Sequence, residues 1–163
     1  MMKASRIGLG TDVHVLVPDR RCVLGGIEFD CPVGPVSWSD GDAVLHALTD
    51  ALLGAAGLPD LGTLFPDDDE RFKDADSTDF VAQAVTELRA KELTVLSTDI
   101  VVHCDRPKIG PRREEVRASI AGLLGVDVDC VNVKGKTLEH AGGERETVSA
   151  MAIVLLGPRL IDD

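Results

Sequence analysis

The chain is centred on residues 38–69, which read WSDGDAVLHALTDALLGAAGLPDLGTLFPDDD. Ser39 or Asp40 is positioned to cap a helix that begins near residue 41 and runs to about residue 56. Gly57 supplies the usual left-handed stop at its carboxyl end. Almost all residues between these ends are Ala, Val, Leu or Gly, and a helix that is apolar nearly all round is a buried one. The sequence therefore predicts a central helix enclosed by the rest of the domain.

Three polar side chains interrupt this helix at four-residue intervals: Asp42, His46 and Asp50. Each interval rises about 6 Å, so the three form one polar stripe. One interpretation is structural, with Asp42 facing the helix dipole, His46 as a hydrogen-bonded core residue and Asp50 as a solvated edge carboxylate. The other interpretation is a functional site, because charges on a buried helix are costly unless they are paired, hydrogen-bonded or bound to metal.

The chain as a whole has 163 residues and a formal net charge of −11. This length predicts a single domain over residues 1–163 with a substantial core. The negative charge disfavours non-specific binding to nucleic acid or to an anionic membrane surface, so we expect neither partner. No apolar run approaches the ~20 residues of a membrane span, and the first residues lack the apolar core of a signal peptide. We therefore expect a cytoplasmic protein whose four cysteines, without C-x-x-C spacing, behave as small apolar residues.

Apolar periodicity elsewhere predicts strands alternating with helices. Residues 6–17 have strand alternation, and Gly8 and Gly10 within them predict close approach by another backbone. Residues 58–73 are long for a loop and carry the apolar pair Phe65-Pro66, which favours a functional lid. The other predicted elements are short strands at 22–24 and 27–29, a loop at 30–38, a helix capped by Asp76 or Ser77, a helix at 112–124, and strands at 93–104, 130–133 and 147–156. This order predicts a sheet with helices layered on one face.

Asp12 and His14 lie two residues apart on the first predicted strand, so their side chains point to the same face. With His46 from the buried helix they supply the carboxylate and imidazole ligands that zinc accepts, and three protein ligands leave a fourth position open, as in catalytic zinc sites. Asp50, one turn beyond His46, could orient the imidazole or stand near the metal. The other two histidines receive no role: His103 and His140.

Several motifs along the chain match those of one enzyme family. They are G-x-D-V-H near the amino terminus, L-G-G before a Pro-rich loop, S-D-G-D-x-x-x-H-A-x-x-D-A-L-L-G-A-A-G in the central helix, and F-P-D after it. D-x-P-K at residues 105–108, and V-N-V-K followed by T-x-E, match further. Together they resemble the 2-C-methyl-D-erythritol 2,4-cyclodiphosphate synthase family over essentially the whole chain, and the central motif is long and highly specific.

The resemblance implies both a fold and a reaction. The implied fold is α+β, a four-stranded mixed sheet with helices packed on one face, in a ferredoxin-like layered sandwich that trimerises through the sheets and places active sites between subunits. The implied reaction is the cyclisation of 4-diphosphocytidyl-2-C-methyl-D-erythritol 2-phosphate to 2-C-methyl-D-erythritol 2,4-cyclodiphosphate with release of CMP. It is the work of a phosphorus–oxygen lyase in the non-mevalonate route to isoprenoids.

Carried over motif by motif, the resemblance also implies residue roles. The implied zinc ligands are Asp12, His14 and His46, and Glu139 is the implied ligand of a second divalent cation, Mg²⁺ or Mn²⁺. The implied catalytic residues are Asp50 and Thr137, the latter hydrogen-bonding the phosphates. The implied substrate-binding residues are Trp38, Ser39, Asp60 at the ribose, Gly62, Phe65, Asp67 and Asp69 over the methylerythritol part, and Lys108 and Lys136 in the cytidine-diphosphate pocket.

Three features depart from the family pattern, and one of them is Lys136, which replaces a small polar residue beside Thr137. Trp38 stands where the family usually has a His over the substrate's diphosphate, and a Trp can cover or stack there but cannot donate in the same way. The segment after T-x-E, residues 141–147, is shorter than the family's and lacks its Phe, so we expect no prenyl diphosphate on the trimer axis. These departures leave a second hypothesis open, namely a metal-containing trimer that binds nucleotides or diphosphates without turnover. Hydrolysis of generic phosphoesters would instead indicate an unrelated phosphoesterase.

Overall fold

The predicted central helix is present in the structure, a computed structural model that describes residues 4–139 and 143–159. The helices are α1 (Ala43–Ala56), α2 (Leu61–Leu64), α3 (Ser77–Ala90) and α4 (Arg113–Leu124). The strands are β1 (Arg6–Pro18), β2 (Cys22–Leu24), β3 (Ile27–Phe29), β4 (Val33–Pro35), β5 (Leu93–His103), β6 (Val131–Lys136) and β7 (Thr147–Pro158). His140 lies outside the described residues, and no helix within them is long and apolar enough to cross a membrane.

The main sheet is mixed, with five strands in the order β4-β1-β7-β5-β6. β7 pairs antiparallel with both β1 and β5, whereas β5 and β6 are parallel. The α+β class is therefore confirmed, but the predicted count of four strands is wrong. The fifth strand, β4, lies within the predicted 30–38 loop and pairs with the end of β1. The predicted hairpin is present as β2 and β3, which form a separate two-stranded sheet.

Helix α1 packs against β1 with almost no space between the two backbones. A Cβ atom added at Gly8 would lie 2.0 Å from the Ala51 carbonyl oxygen, and one at Gly10 would lie 2.0 Å from that of Ala47. Four residues of helix rise ~6 Å and two residues of strand rise ~7 Å, so the two repeats stay nearly in step. The close approach predicted from the glycines is confirmed, and it sets the register between the strand and helix that carry the candidate metal ligands.

Asp42 caps α1, so the prediction of Ser39 or Asp40 as the cap is wrong. The Asp42 carboxylate accepts four backbone N–H groups at 2.7–3.1 Å, which belong to Gly25, Gly26, Val44 and Leu45. Two of these donors come from the β2–β3 turn, so one side chain joins that turn to the helix. Burial raises the pKa of the Asp42 carboxyl to about 6, against the opposing effect of its N–H donors. Gly57 ends the helix in the left-handed conformation, as predicted.

The sheet face opposite the helices is exposed and largely apolar. Alternate residues of β1 and β7 are buried towards the helices, and the residues between them face outward. The large apolar side chains on this outer face are Ile7, Leu9, Val13, Met151, Ile153 and Leu155, with exposed fractions from 39% to 69%. A contiguous apolar surface of this kind marks an interaction site.

The edge strand β6 is covered by two arginines of α4. Arg113 Nε donates to the Val133 carbonyl at 2.8 Å, and Arg117 Nε donates to the Val131 carbonyl at 2.7 Å. The arginines are four residues apart on the helix and their acceptors are two residues apart on the strand, so the two periods match here as well. The guanidinium groups therefore satisfy backbone acceptors along this edge.

Candidate metal centre and active site

Three side chains that can bind a metal meet where β1 passes the first turn of α1. Asp12 Oδ2 lies 2.8 Å from His14 Nε2 and 3.0 Å from His46 Nδ1, and the two imidazole nitrogens are 3.4 Å apart. Ligand atoms bound to one tetrahedral zinc ion would be separated by roughly 3.3 Å. Two imidazole nitrogens and a carboxylate oxygen at this spacing fit such an ion. Within residues 4–139 and 143–159 this is the single group of three or more His, Cys, Asp or Glu side chains close enough to hold one.

The packing of α1 on β1 explains why these residues meet. Gly10 faces Ala47, so the next inward residue of β1, Asp12, faces the turn before it, where His46 lies. His14 follows two residues later on the same face of the strand. The glycines of β1 allow the strand to pack closely on α1, and Asp12 and His14 are the next residues of β1 on the same face.

Electrostatics favour a cation at this point. Burial works against an ionised Asp12, yet the hydrogen bonds and charges of His14 and His46 hold the pKa of that carboxyl well below its usual range. Burial also works against a charged His46, but the hydrogen bond and charge of Asp12, with the charges of Asp42 and Asp40, raise the pKa of the imidazole. The carboxylate is thus ionised and ready to bind a metal ion.

The second ring nitrogen of His46 is held by two hydroxyl groups. His46 Nε2 lies 2.9 Å from Ser77 Oγ and 3.1 Å from Ser39 Oγ. The contacts that orient the imidazole therefore come from serines, while Asp50 accepts the Leu61 amide at 2.7 Å. Asp50 holds the start of α2 against α1, and burial raises the pKa of its carboxyl.

A cavity of about 430 Å³ opens from the three ligands, and we call it the metal cavity. Its lining residues are Asp12, His14, Val36, Ser37, Trp38, Ser39, His46, Leu61, Gly62, Phe65, Asp67, Phe72 and Phe80. The chain has only one Trp, four Phe and no Tyr, and four of these five side chains line this cavity. The ring centroids of Phe65 and Phe80 are 4.5 Å apart, and those of Phe65 and Phe72 are 5.4 Å apart. In a protein with an aliphatic core, this concentration indicates that the aromatic residues serve the cavity.

The segment between α1 and α3, predicted to be a lid, forms much of the cavity wall. Of its predicted substrate residues, Gly62, Phe65 and Asp67 line the metal cavity. Asp60 caps α2 by accepting the Thr63 amide at 2.8 Å. Asp69 forms an exposed ion pair with Arg71 at 2.6 Å. These last two carboxylates have local partners in this structure.

Trp38 joins the loop before α1 to the lid segment. Its indole Nε1 donates to the Asp69 carbonyl at 3.1 Å, and its own carbonyl accepts the Asp74 amide at 2.8 Å. Lys73 Nζ lies 5.6 Å from the centre of the indole ring. The ring lines the metal cavity while its N–H is used inside the protein, which agrees with a covering function and not with donation to a ligand.

Lys108, Lys136 and Thr137 line a second cavity, of about 300 Å³, whereas Glu139 is not among its lining residues. We call it the lysine cavity, and its lining residues are Cys104, Pro107, Lys108, Ile109, Gly110, Pro111, Gly135, Lys136 and Thr137. Thr137 Oγ1 donates to Glu139 Oε1 at 2.6 Å. The two cavities share no lining residue, so Thr137 lines one cavity and the three metal ligands line the other.

The four cysteines are free thiols. Burial raises the pKa of Cys22 to about 12 and that of Cys104 to about 11. Both thiols therefore stay protonated and behave as apolar residues, as predicted.

Sequence reasoning missed Ser77, Phe72 and Phe80 as residues of the site. Ser77 is predicted only as an alternative cap of α3, but Asp76 takes that position by accepting the Thr78 amide. The Ser77 hydroxyl is thereby free to contact His46, 31 residues earlier. The scarcity of aromatic residues was a usable signal for the two Phe residues, whereas no local pattern marks Ser77.

Known proteins give the same family as the motifs. The family model described as the YgbB family matches residues 5–157. The 2-C-methyl-D-erythritol 2,4-cyclodiphosphate synthase of Neisseria gonorrhoeae is 48% identical over 153 residues, which cover 93% of this chain and 96% of that protein. The synthase of Xanthomonas oryzae pv. oryzae is 47% identical over 154 residues, which cover 93% and 94%.

Solved structures agree with the sequence matches. A CDP-bound structure of 2C-methyl-D-erythritol-2,4-cyclodiphosphate synthase has a TM-score of 0.86 at 42% identity, covering 93% of this chain and 99% of that chain. The complex of Plasmodium falciparum IspF with CDP has a TM-score of 0.85 at 33% identity, covering 98% and 100%. This chain therefore belongs to the YgbB family of 2-C-methyl-D-erythritol 2,4-cyclodiphosphate synthases.

Proposed function

We propose that this chain, acting as a single domain, catalyses the reaction for which its relatives are named. An oxygen of the 2-phosphate of 4-diphosphocytidyl-2-C-methyl-D-erythritol 2-phosphate bonds to the β-phosphorus, the bond from that phosphorus to the CMP oxygen breaks, and the cyclic diphosphate forms. The observation that carries this proposal is the group Asp12, His14 and His46 in the wall of a 430 Å³ cavity.

We assign zinc to these three ligands because two imidazoles and an ionised carboxylate suit that ion and leave a position open to substrate. When bound, a divalent metal polarises a phosphoryl oxygen and offsets the repulsion between the two phosphates that must join. We assign a second divalent cation, Mg²⁺ or Mn²⁺, to Glu139. That assignment rests on the family motif and on the exposed position of this carboxylate beside Thr137.

The chain's own residues orient the substrate in this proposal. Phe65 and Phe72, with Gly62 and Asp67, form the wall that would receive the methylerythritol part and keep water from it. The ammonium groups of Lys108 and Lys136 and the Thr137 hydroxyl would bind the cytidine diphosphate. Holding nucleophile and electrophile within one bound molecule removes an association cost. The remaining substrate contacts are assigned as the motifs imply: Trp38 and Asp69 as cover, Asp60 at the ribose, and Ser39 near the phosphates, with Asp50 supporting catalysis.

Two features support a homotrimer with active sites between subunits. First, the metal ligands and the residues assigned to the nucleotide line separate cavities of one chain, and a second copy could bring two such cavities together. Second, the outer face of the sheet is apolar and uncovered, which suits packing of one sheet against another. Light scattering on the purified protein would test the assembly directly.

The decisive experiment is release of CMP from the cytidine-linked substrate by purified protein with Zn²⁺ and Mg²⁺ present. CMP together with the cyclic product would support the synthase and would show that Trp38 is tolerated. No release from zinc-loaded trimer would instead favour the binding role without turnover, and would make residues 134–147 the segment to examine.

A further inference from the structure

The contacts on the far side of His46 point to a residue that positions the metal ligand. We infer that Ser77 and Asp40 form a hydrogen-bond relay that holds His46 with its Nδ1 lone pair directed at the metal site. This inference rests on the proposed metal at Asp12, His14 and His46. It assigns a positioning function to Ser77, on α3, and to Asp40, in the loop before α1. Neither residue has a role among those implied by the family motifs.

The relay begins at the Asp40 carboxylate. This carboxylate accepts the Ser77 amide at 3.0 Å and the Asp42 amide at 3.0 Å. It also accepts a hydrogen bond from the Ser77 hydroxyl. The Ser77 proton is therefore committed to Asp40, because a carboxylate can only accept.

The direction of the Ser77–Asp40 bond sets the tautomer of His46. With its proton donated, Ser77 Oγ offers a lone pair to His46 Nε2 at 2.9 Å, so Nε2 must carry the imidazole proton. The neutral ring then has no proton on Nδ1, which is the nitrogen that faces Asp12 at 3.0 Å. A metal-binding His whose other N–H is anchored in this way is fixed in both tautomer and ring orientation.

Ser39, the other hydroxyl near Nε2, does not impose a direction. Its Oγ lies 3.1 Å from His46 Nε2 and 3.3 Å from Ser37 Oγ, and it accepts the Gly41 amide at 3.3 Å. None of these partners is a carboxylate, so the Ser39 hydroxyl proton can turn towards Ser37 or a bound molecule. Ser77 is thus the specific anchor, and Ser39 remains free for the substrate.

Burial makes the relay rigid. Ser77 is fully buried, and both its amide and its hydroxyl are bound to Asp40. The relay therefore ties the metal ligand on α1 to the first residue of α3, a contact between positions 31 residues apart.

Zinc affinity measured by chelator competition tests the relay without using the enzymatic reaction. Loss of an anchor of this kind costs about 10- to 100-fold in metal affinity, which is the result expected for Ser77→Ala. Ser39→Ala should change affinity by less than about 3-fold, since the Ser77 anchor remains. Thr49→Val is the matched control, because Thr49 is a buried residue on the next turn of α1 whose hydroxyl bonds to the Leu45 carbonyl at 2.7 Å and not to the imidazole.

A second measurement reads the hydrogen bond itself. Long-range ¹H–¹⁵N spectra of the zinc-loaded protein, which has four histidines, should show His46 with a slowly exchanging Nε2 proton. That signal should be lost or broadened in Ser77→Ala and retained in Ser39→Ala and Thr49→Val. A structural effect confined to packing would not move it.

The outcomes separate this inference from the proposed function. If the wild-type protein binds no zinc, the proposed metal centre fails. If the wild type binds zinc and Ser77→Ala binds it equally well with the Nε2 signal intact, the relay is overturned. The relay is also overturned if Ser39→Ala, and not Ser77→Ala, loses zinc affinity. Should Ser77→Ala not fold, Asp40→Asn keeps both serines and is expected to weaken zinc about 10-fold, and an unchanged affinity in that variant overturns the relay.

Discussion

The metal cavity and the lysine cavity have walls of different construction. The metal ligands belong to β1 and α1, two long elements in backbone contact, and His46 is only 8% exposed. Lys108, Lys136 and Thr137 lie at or beyond the ends of strands, and all three are exposed. The metal ligands are thus held by regular structure, whereas the lysines and Thr137 are held at the ends of elements.

This difference follows from what each cavity would bind. A metal ion needs ligand atoms held to within fractions of an ångström, which suits side chains fixed by packing. A nucleotide diphosphate is larger and anionic, so long cationic side chains at a surface can adjust to it and to a neighbouring subunit. The three metal ligands should therefore be in place before substrate binds. The proposed nucleotide-binding part, at the lysine cavity, should be completed when subunits associate.

Removing one metal ligand should have the largest effect. In His46→Ala the zinc content should fall to background and CMP release should fall by more than about 1,000-fold, since a bound metal supplies several kcal/mol and each 1.4 kcal/mol is tenfold. Metal analysis and turnover on the same sample would measure both losses. Full activity in zinc-free His46→Ala would show that the metal cavity is not the reaction centre.

Disturbing the contact between α1 and β1 should have the second-largest effect. Gly10→Ala places a Cβ atom 2.0 Å from the Ala47 carbonyl oxygen, so helix and strand must separate. We expect a loss of about 3 kcal/mol or more in the free energy of unfolding, by urea denaturation, because a rigid backbone cannot yield as a side chain does. Gly54→Ala, on the same helix with no atom within 4 Å, is the control and should gain about 0.5–1 kcal/mol. Equal stability of the two variants would contradict the close packing of β1 on α1.

A substitution at the proposed second cation site should lower the rate without lowering the zinc content. Glu139→Gln should keep a full zinc content but lose up to about 100-fold in Mg²⁺-dependent rate, because it removes a charged ligand of the second cation. Rate measured against Mg²⁺ concentration, with zinc analysis as control, tests this assignment. An unchanged rate would show that Glu139 is not a metal ligand.

The metal-free protein should lose stability as the pH rises past 6.5. The pKa of His46 is raised from 6.5 and that of Asp12 is lowered from 3.8. The raised pKa of His46 stabilises the fold fully below pH 6.5, and this stabilisation is lost as the pH rises through the pKa of the folded state. The lowered pKa of Asp12 stabilises the fold above pH 3.8, and this stabilisation is lost as the pH falls through the pKa of the folded state. Thermal denaturation of chelator-treated protein on either side of pH 6.5 should show the fall, and zinc should remove it. His46→Ala should lack this pH dependence, and its persistence there would assign it to other groups.

The smallest effect is expected at Trp38. Its carbonyl contact with Asp74 survives any substitution, and its side chain contributes one hydrogen bond to Asp69, worth about 0.5–1.5 kcal/mol. Trp38→His should therefore keep CMP release within about 10-fold, mainly through a change in KM. Complete loss of turnover would mean that Trp38 has a specific part in the reaction.

Residues whose spacing carries the information were predictable. Asp12 and His14 share a face because a strand repeats every two residues, and the apolar surroundings of His46 identified a buried helix. Gly8 and Gly10 on the first strand predicted close approach by another backbone without identifying which element it belongs to. These inferences need only local periodicity, which is why the candidate metal group was recognisable from the sequence.

Residues whose roles depend on distant partners were not predictable in the same way. Ser39, Asp40 and Asp42 can all cap a helix. In the structure Asp42 accepts the helix amides, and it is also held by the distant amides of Gly25 and Gly26. Strand β4 has three residues within a Pro- and Gly-rich loop, so pairing with β1 and not composition makes it a strand. Sequence spacing alone also gave no sign that the two cavities are separate within one chain.

The arginines of α4 restrict how copies of this chain can associate. Arg113 and Arg117 occupy carbonyl groups along β6 that a strand from another molecule would need for sheet extension. Strand addition at this edge is thereby disfavoured, and the proposed packing through the apolar face of the sheet would not compete with it. An open-ended strand addition would produce fibres, whereas a closed assembly such as the proposed trimer would not.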